Sequence, residues 1–437
     1  MARTSTQKKT AAIEGISLVK KIDGISEYRL DANGLRILHI PDTSSPVVGL
    51  MVTYHVGSRN EATGYTGATH LLEHLMFKGS EQFNKDKGST AWDLLEGKGA
   101  RVNATTWFDR TNYYAVMPKD LLAKAIAFEA DRMRYAFIEE TDRQSEMPVV
   151  RSEFEIGENR PIEALDKQIW ASAFQAHPYH HSTIGWRSDI ENVPIERLQA
   201  FYKEFYRPDN ATVTIAGDAT PEEVLPLILN EFGRHDGQAA RVPEVYTEEP
   251  KQEGERRVVV KRASETNIVG LAHKIPNATH ADIPALVLLG LILSEGKTSR
   301  LHRSLVDTAK ALDVSTTVYE LRDPGLMVTY VTLAPRTKHA FIEERVKSIY
   351  KHIAEKGVTA AELARAKQSM RAYVASRRDG AYALLSSINE DIATGDWTRF
   401  ASLPEALHTT TTADVRRVAR TYLVDDTSTI GYFIGTP

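Results

Sequence analysis

The stretch Gly67-Ala68-Thr69-His70-Leu71-Leu72-Glu73-His74-Leu75-Met76-Phe77-Lys78-Gly79 carries the strongest structural signal in this chain. His70 and His74 are four residues apart, so on a helix the two imidazoles lie one above the other on one face. Glu73 lies three residues after His70 and leans over the same face. The order His-x-x-Glu-His is the reverse of the commoner zinc-binding motif His-Glu-x-x-His. The stretch therefore predicts a metal-binding helix.

Two imidazoles so placed can share a zinc ion, and a carboxylate beside them can take the proton of a water that the ion activates. The alternative interpretation is a surface helix with two solvated histidines. The apolar neighbours argue against it, because a segment this apolar should be largely buried; they are Leu71, Leu72, Leu75, Met76 and Phe77. Buried histidines and a buried glutamate without partners would cost several kcal/mol in desolvation. The pattern thus favours a metal site.

Composition limits the class of protein. A chain of 437 residues exceeds one ordinary compact domain and indicates two or more, and 42% hydrophobic with 26% charged residues is typical of a globular protein. A net charge of −4 gives no electrostatic reason to bind nucleic acid or an anionic membrane. No apolar run is long enough to span a bilayer. Because there are 0 cysteines, any metal must be held by histidines and carboxylates.

The N-terminus, Met1-Ala-Arg-Thr-Ser-Thr-Gln-Lys-Lys, is polar and lacks the apolar core of a secretory signal. Taken as it stands, this predicts a cytoplasmic protein. If a signal was removed upstream of this numbering, the expectation becomes periplasmic, and the absence of cysteine suits either compartment.

The chain repeats one pattern. Residues 198–206 predict a helix followed by a strand at 209–217, and residues 415–423 predict a helix followed by a strand at 426–434. Both pairs are offset by 217 residues (415 − 198 and 426 − 209). At the start of the first half, residues 28–30, 35–40 and 47–54 predict strands, with a hairpin turn at Asn33-Gly34, and residues 257–261 and 267–272 open the second half in the same way. The two halves therefore share one design.

The predicted organisation has four parts. They are a polar tail at residues 1–25, a metal-binding domain at 26–236, a polar, proline-containing linker at 237–255, and a similar second domain at 256–437. Strand clusters alternate with long helical blocks at 121–136 and 360–377, which is typical of an α+β fold. Each half of about 200 residues is an ordinary domain size.

A catalytic zinc ion usually takes three protein ligands, so the two histidines need a third. The best source is the block Glu146-Met-Pro-Val-Val-Arg-Ser-Glu-Phe-Glu-Ile-Gly-Glu158. Glu146 and Glu153 are seven residues apart, two helical turns, and share a face. One of them can bind the metal while the other supports a ligating histidine. Glu155 and Glu158 are neighbours that could be confused with Glu153.

The metal helix and this acidic block together resemble the insulinase/pitrilysin family of zinc peptidases, the inverzincins. The resemblance is strongest for the short bacterial and mitochondrial-processing-peptidase-like members and their metal-bearing subunit. It spans almost the whole chain and includes Gly57-Ser-Arg-Asn-Glu61 and Asn103-Ala-Thr-Thr-Trp-Phe-Asp-Arg-Thr-Asn-Tyr-Tyr114. It implies two homologous α/β-roll domains, each a mixed, largely antiparallel sheet flanked by helices. Together they would make half of a four-domain clam-shell.

The resemblance also implies residue roles. His70, His74 and Glu153 would bind Zn²⁺, Glu73 would be the general base, and Glu146 would be a supporting acid. Glu153 lies 79 residues after His74 (153 − 74), close to the family spacing. Asn103 and Ala104 match the strand edge on which that family pairs an extended substrate through main-chain hydrogen bonds. The alternative for these two residues is an ordinary edge strand.

Other candidates for chemistry are weaker. His177-Pro-Tyr-His-His181 offers three histidines but no carboxylate and no fixed face, so we interpret it as a structural loop. The chain contains no G-x-S-x-G motif of a serine hydrolase and no G-x-x-x-x-G-K-[ST] phosphate loop.

The second half lacks a pair that the resemblance leads us to expect. Members of the family usually place an Arg and a Tyr, seven residues apart, where they stabilise the developing oxyanion. Aligning residues 305–314 puts Val306 and Asp313 at those positions, and neither is a useful donor. Arg303, Arg322 or Tyr319 could take the role instead. We favour a heterodimer in which a related subunit supplies Arg and Tyr, over a homodimer.

The predicted function is a zinc-dependent endopeptidase acting on short or unfolded peptides. One alternative is a non-catalytic assembly subunit, like the core-type relatives found in respiratory complexes. Another is a peptide-binding module that uses the Asn103 edge without chemistry. Zinc content discriminates between the enzyme and the assembly subunit.

Overall fold

A computed structural model describes residues 13–235, 237 and 240–436 of the chain. Within these ranges the chain forms two β-sheets with helices packed on them. The strands of the first sheet are β1 (Ile16–Ile22), β2 (Ile25–Leu30), β3 (Arg36–Pro41), β4 (Val47–Tyr54), β5 (Arg101–Thr106), β6 (Thr111–Pro118) and β7 (Ala211–Gly217). Those of the second sheet are β8 (Arg256–Ala263), β9 (Ile268–Ile275), β10 (Ala311–Val318), β11 (Gly325–Leu333) and β12 (Ser428–Thr436).

The helices of the first half are α1 (Ala68–Leu75), α2 (Ala91–Leu94), α3 (Leu122–Tyr135), α4 (Glu140–Asn159), α5 (Pro161–Ala173), α6 (Arg187–Asn192), α7 (Ile195–Phe205) and α8 (Pro221–Phe232). Those of the second half are α9 (Ile283–Ser294), α10 (His339–Lys356), α11 (Ala360–Ser376), α12 (Ala381–Ala393), α13 (Arg399–Thr409) and α14 (Thr412–Tyr422). The most apolar of them, α9, is buried in the core of the second half, which explains why it is apolar on all sides. Among the described helices, none combines the length and apolarity needed to cross a bilayer.

The two sheets share one topology. The first has the strand order β1-β2-β3-β7-β4-β6-β5, and the second has the order β8-β12-β9-β11-β10. The pairs β3–β7 and β8–β12 are parallel, whereas the other neighbours in both sheets are antiparallel. From β3 and β8 onward the orders correspond strand by strand, and α7–β7 and α14–β12 are the predicted helix–strand pairs. The predicted α+β fold with mixed, largely antiparallel sheets is confirmed.

The predicted polar tail at residues 1–25 is wrong for its described part. Residues 16–22 form β1, which pairs antiparallel with β2 at the edge of the first sheet. This strand was missed because an edge strand needs little apolar surface: Leu18 is 59% exposed, and Lys20 and Lys21 are exposed beside it. Residues 1–12 lie outside the described residues.

The predicted linker at 237–255 has no helix or strand in its described part, but it is fixed to both halves. The Glu249 carboxylate accepts hydrogen bonds from the backbone N–H groups of residues 175–177 at 2.9–3.1 Å. It also forms an ion pair with Lys274 at 3.0 Å. Gln252 is buried and donates to the Ser428 carbonyl at 2.7 Å. The segment therefore packs as part of the structure.

The two halves exchange helices. Helix α5, which follows the first-half strands, packs on the second sheet, where Ile169 and Trp170 belong to the same apolar cluster as Val328. Conversely, α12 of the second half packs on the first sheet through residues such as Leu385 and Ile388. The core of each sheet is therefore completed by a helix from the other half.

The repeated Val-Gly-Leu sequence explains how these helices come so close. A Cβ atom on Gly49 would lie 2.5 Å from Cδ1 of Leu385, and a Cβ on Gly270 would lie 2.5 Å from Cδ1 of Ile169. Each glycine thus occupies the point where the exchanged helix meets the sheet. A larger residue would push the helix away.

Because the halves exchange helices, we expect them to unfold together. Leu385→Ala removes a fully buried side chain and should lower the free energy of unfolding by about 2–4 kcal/mol, through lost burial and the cavity left behind. Urea unfolding followed by tryptophan fluorescence should show one transition, since Trp170 and Trp397 report on opposite exchange sites. The exposed Leu312→Ala is the matched control, with a change within about 0.5 kcal/mol. Two separated transitions would contradict the interlocked arrangement.

Candidate active site

Helix α1 packs its leucines into the core and carries its two histidines and its glutamate on the opposite side. Leu71, Leu72 and Leu75 are almost completely buried in the core of the first half. The helix follows Gly67, whose φ of +86° is a left-handed conformation that favours glycine. The opposite face of the helix carries the predicted metal-site residues His70, Glu73 and His74.

A buried glutamate for which the sequence predicts no role anchors the start of α1. Glu61 is buried and accepts hydrogen bonds from the backbone N–H groups of Gly67 and Thr69, each at 2.7 Å. The first N–H groups of a helix have no partner within it, and the two carboxyl oxygens of Glu61 accept two of them, even though burial raises the pKa of this group to about 8. Glu61 therefore fixes the position of the helix that carries the histidines.

The three predicted ligands lie close together. Oε2 of Glu153, on α4, lies 3.4 Å from Nε2 of His70 and 3.5 Å from Nε2 of His74. Ligand atoms around a tetrahedral zinc ion with bonds of about 2.0–2.1 Å are separated by about 3.3 Å, so the donor set fits this ion. Within the described ranges, no other group of three or more His, Asp or Glu residues can share a metal ion.

The protonation state of His70 also suits a metal ligand. Burial, assisted by the nearby His74, lowers the pKa of His70 to about 4. The imidazole is therefore neutral at physiological pH, which is the form that binds metals. Its Nδ1 atom is buried and has no hydrogen-bond partner among the described residues, whereas Nε2 points to the carboxylate.

Glu146 supports the second histidine. Its Oε2 atom lies 3.3 Å from Nδ1 of His74, and its other oxygen contacts the Lys78 ammonium. Burial alone would raise the pKa of Glu146, but the hydrogen bonds from Lys78 and His74 outweigh it and hold that pKa below its usual value. An ionised carboxylate there accepts the Nδ1–H of His74 and leaves Nε2 free for a metal. Lys78, missed from the sequence, lies four residues after His74.

Glu73 stands beside this group without belonging to it. Its Oε2 atom accepts a hydrogen bond of 2.5 Å from the hydroxyl of Thr106, the last residue of β5. Burial raises the pKa of Glu73 above its ordinary value, opposed by this hydrogen bond and by the positive charge of Arg110. The result is an oriented carboxylate whose basicity is enhanced. Nothing in the sequence pointed to Thr106.

The acidic neighbours of Glu153 face other partners. Glu155 lies 3.8 Å from Arg187, at the exposed side of α4. Glu158 forms ion pairs with Lys167 at 2.9 Å and Arg262 at 2.5 Å. The structure therefore places Glu153, and neither of these two residues, against the histidines.

Asn103 and Ala104 lie on β5, an edge strand whose one neighbour in the described sheet is β6. The Asn103 side chain is exposed, and its Oδ1 accepts the N–H of Ala104 at 2.9 Å. Neither residue lines the cavity at the metal-binding group, whereas Thr105 and Thr106 of the same strand do. The predicted substrate strand therefore leads into the site.

The cavity beside the metal-binding group has a volume of about 690 Å³ and lies between the two halves. His70, Glu73 and Glu153 line it from the first half, and Tyr319 and Tyr330 line it from the second. Of the alternatives to the missing Arg/Tyr pair, Tyr319 reaches this cavity, whereas Arg303 and Arg322 do not. Burial raises the pKa of Tyr319, so its phenol keeps its proton and can donate a hydrogen bond.

The two positions that align with the Arg and Tyr of the family lie away from the active-site cavity. Val306 packs against the core of the second half, and Asp313 is exposed on β10. Neither lines the cavity beside the histidines.

The loop His177–His181 has structural contacts. Nε2 of His177 lies 2.9 Å from Oδ2 of Asp323 in the second half, and Nδ1 accepts the N–H of Tyr179 at 3.2 Å. Asp323 also accepts a hydrogen bond of 2.5 Å from Arg59. The loop therefore helps to join the two halves.

Comparison with family models gives two matches. Residues 36–186 match "Insulinase (Peptidase family M16)", and residues 192–370 match "Peptidase M16 inactive domain". The first range contains the histidines, Glu73 and both candidate acids of α4. The two ranges together span most of the chain.

Comparisons with individual proteins point to the same family. The chain is 29% identical over 402 residues to a protein of Helicobacter pylori named "Zinc protease PqqE", covering 91% of this chain and 90% of that one. The crystal structure of a protease from Helicobacter pylori matches with a TM-score of 0.88 and 28% identity, covering 92% and 97% of the two chains. The crystal structure of the periplasmic protease PqqL from Escherichia coli has the same fold, with a TM-score of 0.77 and 17% identity. The match covers 96% of this chain but 48% of PqqL.

Proposed function

The chain belongs to the insulinase, or peptidase M16, family, and from that premise we propose that it is a zinc-dependent endopeptidase acting on short or unfolded peptides. One observation carries the proposal. Two imidazole nitrogens and one carboxylate oxygen lie within 4.8 Å of one another, and a separate carboxylate, that of Glu73, lines the cavity beside them.

His70, His74 and Glu153 would hold the ion. Zinc, when bound, lowers the pKa of a water and polarises the carbonyl of the peptide bond. Glu146 holds His74 in the tautomer that presents Nε2, and Glu61 holds the helix in place. These contacts keep the ligands oriented before an ion or a substrate arrives.

Glu73 acts as general base. Its carboxylate accepts the proton of the attacking water and later returns a proton to the leaving amine. The burial that raises its pKa makes it a better proton acceptor than an exposed glutamate. The Thr106 hydroxyl holds one carboxylate oxygen and leaves the other for the water.

The experiment that tests this function uses the full chain, purified under native conditions with any chain that co-purifies. Its cleavage of an unstructured peptide mixture is followed before chelation, after metal removal, and after zinc is restored. We expect cleavage to stop and then return. Persistent cleavage by metal-free protein would overturn the zinc mechanism. Zinc binding without any cleavage by the native complex would favour a peptide-binding module.

Thr106 offers a specific prediction. Thr106→Val removes the hydrogen bond that orients Glu73, and we expect kcat to fall about tenfold with KM unchanged. Thr106→Ser retains the hydroxyl and should keep most of the activity. Steady-state kinetics on one peptide, with zinc content measured in parallel, separates this effect from metal loss. Equal activity of the two variants would contradict the positioning role.

Peptide binding at β5 is the second part of the proposal. An extended peptide would pair with the free side of this edge strand through main-chain hydrogen bonds, near Asn103 and Ala104. Thr105 and Thr106 then lead the peptide into the cavity beside Glu73. Backbone pairing accepts many sequences, which suits a peptidase for unfolded substrates.

A partner subunit is the third part. Glu153 is 43% exposed, so the metal face is open on one side. Apolar side chains are also exposed on the neighbouring helices: Val149 and Ile156 on α4, and Ile162 on α5. The chain also corresponds to about half of the longer PqqL chain, with which it shares the fold. We propose that a related subunit covers this face as the other half of a clam-shell and supplies the Arg/Tyr pair.

The chain purified alone should therefore be slow. Without the oxyanion donors of the partner, we expect kcat to be about 100-fold lower than in the native complex. Size-exclusion chromatography and peptide assays on both preparations measure this difference. Full turnover by the chain alone would contradict the partner requirement. If that activity were then lost in the Tyr319→Phe variant, Tyr319 would be the oxyanion donor.

A further inference from the structure

A second recess, of about 290 Å³, shares no lining residue with the active-site cavity. Its wall is mostly polar and comes from both halves of the chain. Arg29 and Arg36 line it from the first sheet, and Arg322 lines it from the loop between β10 and β11. His55 and two acids, Glu27 and Asp209, complete the set of ionisable groups in its wall.

Two of the arginines face each other within the sheet. Arg29 on β2 and Arg36 on β3 are direct partners in the antiparallel register. Like charges directly opposite one another destabilise a strand pair, so this arrangement calls for a compensating anion.

The two acids in the wall of this recess already have hydrogen-bond or ion-pair partners. Glu27 lies 3.3 Å from Arg36 and 3.5 Å from Lys20, and it also accepts the indole N–H of Trp397 at 2.6 Å. Asp209 is held by two hydrogen bonds from Arg207 at 2.5 and 2.6 Å. Within the described residues, no carboxylate lies within ion-pair distance of the guanidinium of Arg29 or of Arg322. The recess therefore has an excess of positive charge.

His55 adds a neutral donor or acceptor to this wall. Its Nε2 atom lies 3.0 Å from the Thr212 hydroxyl. Burial, together with the charges of Arg36 and Arg322, lowers the pKa of His55 to about 3. The imidazole therefore contributes hydrogen bonding without neutralising or adding to the arginine charges.

We propose that this recess binds a multiply charged oxyanion of the phosphate type, either free or as part of a nucleotide. Guanidinium groups present paired N–H donors whose planar geometry matches phosphate oxygens. Arg36 already pairs with Glu27, so an oxyanion between Arg29, Arg36 and Arg322 would complete the neutralisation of the like-charged strand pair and give Arg29 and Arg322 an anionic partner. The volume admits a phosphoryl group with room for a larger substituent.

The site would also tie the two halves together. Arg322 donates its backbone N–H to Asp109 of the first half at 3.0 Å, and the adjacent Asp323 is bound by Arg59. An anion held by side chains from both halves adds a contact at this junction. Because it binds the folded chain, it raises the unfolding temperature as its concentration rises.

The test uses the full chain after metal removal, because phosphate also binds zinc. Thermal unfolding and isothermal titration are measured with inorganic phosphate and with AMP, against sodium chloride at equal ionic strength. We expect saturable binding at one site per chain and a rise in unfolding temperature beyond that in chloride. Tighter binding of AMP would identify a nucleotide, and tighter binding of phosphate would identify the free ion.

Variants locate the site. Arg29→Gln and Arg322→Gln should each weaken binding about tenfold or more, since each loses a charged hydrogen-bond partner of the anion. Arg416→Gln is the control of equal charge change, in a separate basic recess lined by Lys356, Arg416 and Arg420, and should bind as the wild type does. If circular dichroism shows that a variant is misfolded, the comparison of phosphate with chloride on the wild-type chain still tests whether the chain binds the oxyanion. Stabilisation no greater than in chloride, or equal losses in the control, would overturn the proposal.

Discussion

Glu73→Gln is expected to abolish peptide hydrolysis while leaving zinc binding intact. Glutamine has the same shape and can still accept the Thr106 hydrogen bond, but it cannot take a proton from water. We expect kcat to fall by about 10³-fold or more. Zinc content should stay at that of the wild type, because Glu73 is not among the converging donors.

The measurement is kcat on one unstructured peptide, with elemental analysis on the same preparation. Glu155→Gln is the matched control, since Glu155 is an exposed acid on the adjacent helix that faces Arg187. The control should retain wild-type activity. Cleavage by Glu73→Gln within a few-fold of the wild type would eliminate Glu73 as the base.

The second large effect is expected for Glu153→Ala. Two imidazoles remain, and a zinc site with two protein ligands binds weakly. We expect zinc affinity to fall by more than about 100-fold, beyond the 10–100-fold that is typical for loss of an outer supporting residue such as Glu146. Activity should be lost with the metal.

Competition with a chromogenic chelator measures these affinities. The order of loss should be Glu153→Ala, then Glu146→Ala, with Glu155→Ala unchanged. Wild-type affinity in Glu153→Ala would show that another group is the third ligand.

Much of the fold and the candidate site could be predicted from the sequence because the signals were local and periodic. The four-residue interval between His70 and His74 and the seven-residue interval between Glu146 and Glu153 are properties of one helix turn or two. The constant offset of the repeat reflects the matching sheets. Helical spacing alone could not choose among the acids of α4; the choice of Glu153 came from the family resemblance.

What was missed depends on contacts between distant segments. Thr106 meets Glu73 because the edge strand of the sheet ends beside α1, and no spacing in the sequence encodes that meeting. The exchange of α5 and α12 was missed because an apolar helix face shows that a helix packs, but not on which sheet. The arginine recess likewise joins residues almost 300 positions apart, Arg29 and Arg322.

Zinc K-edge X-ray absorption on the purified native protein tests the metal centre most directly. The account predicts one zinc per chain, with two imidazole nitrogens and a carboxylate oxygen at about 2.0–2.2 Å, and loss of this spectrum in Glu153→Ala. A chain without zinc, or a spectrum that Glu153→Ala leaves unchanged, would contradict it.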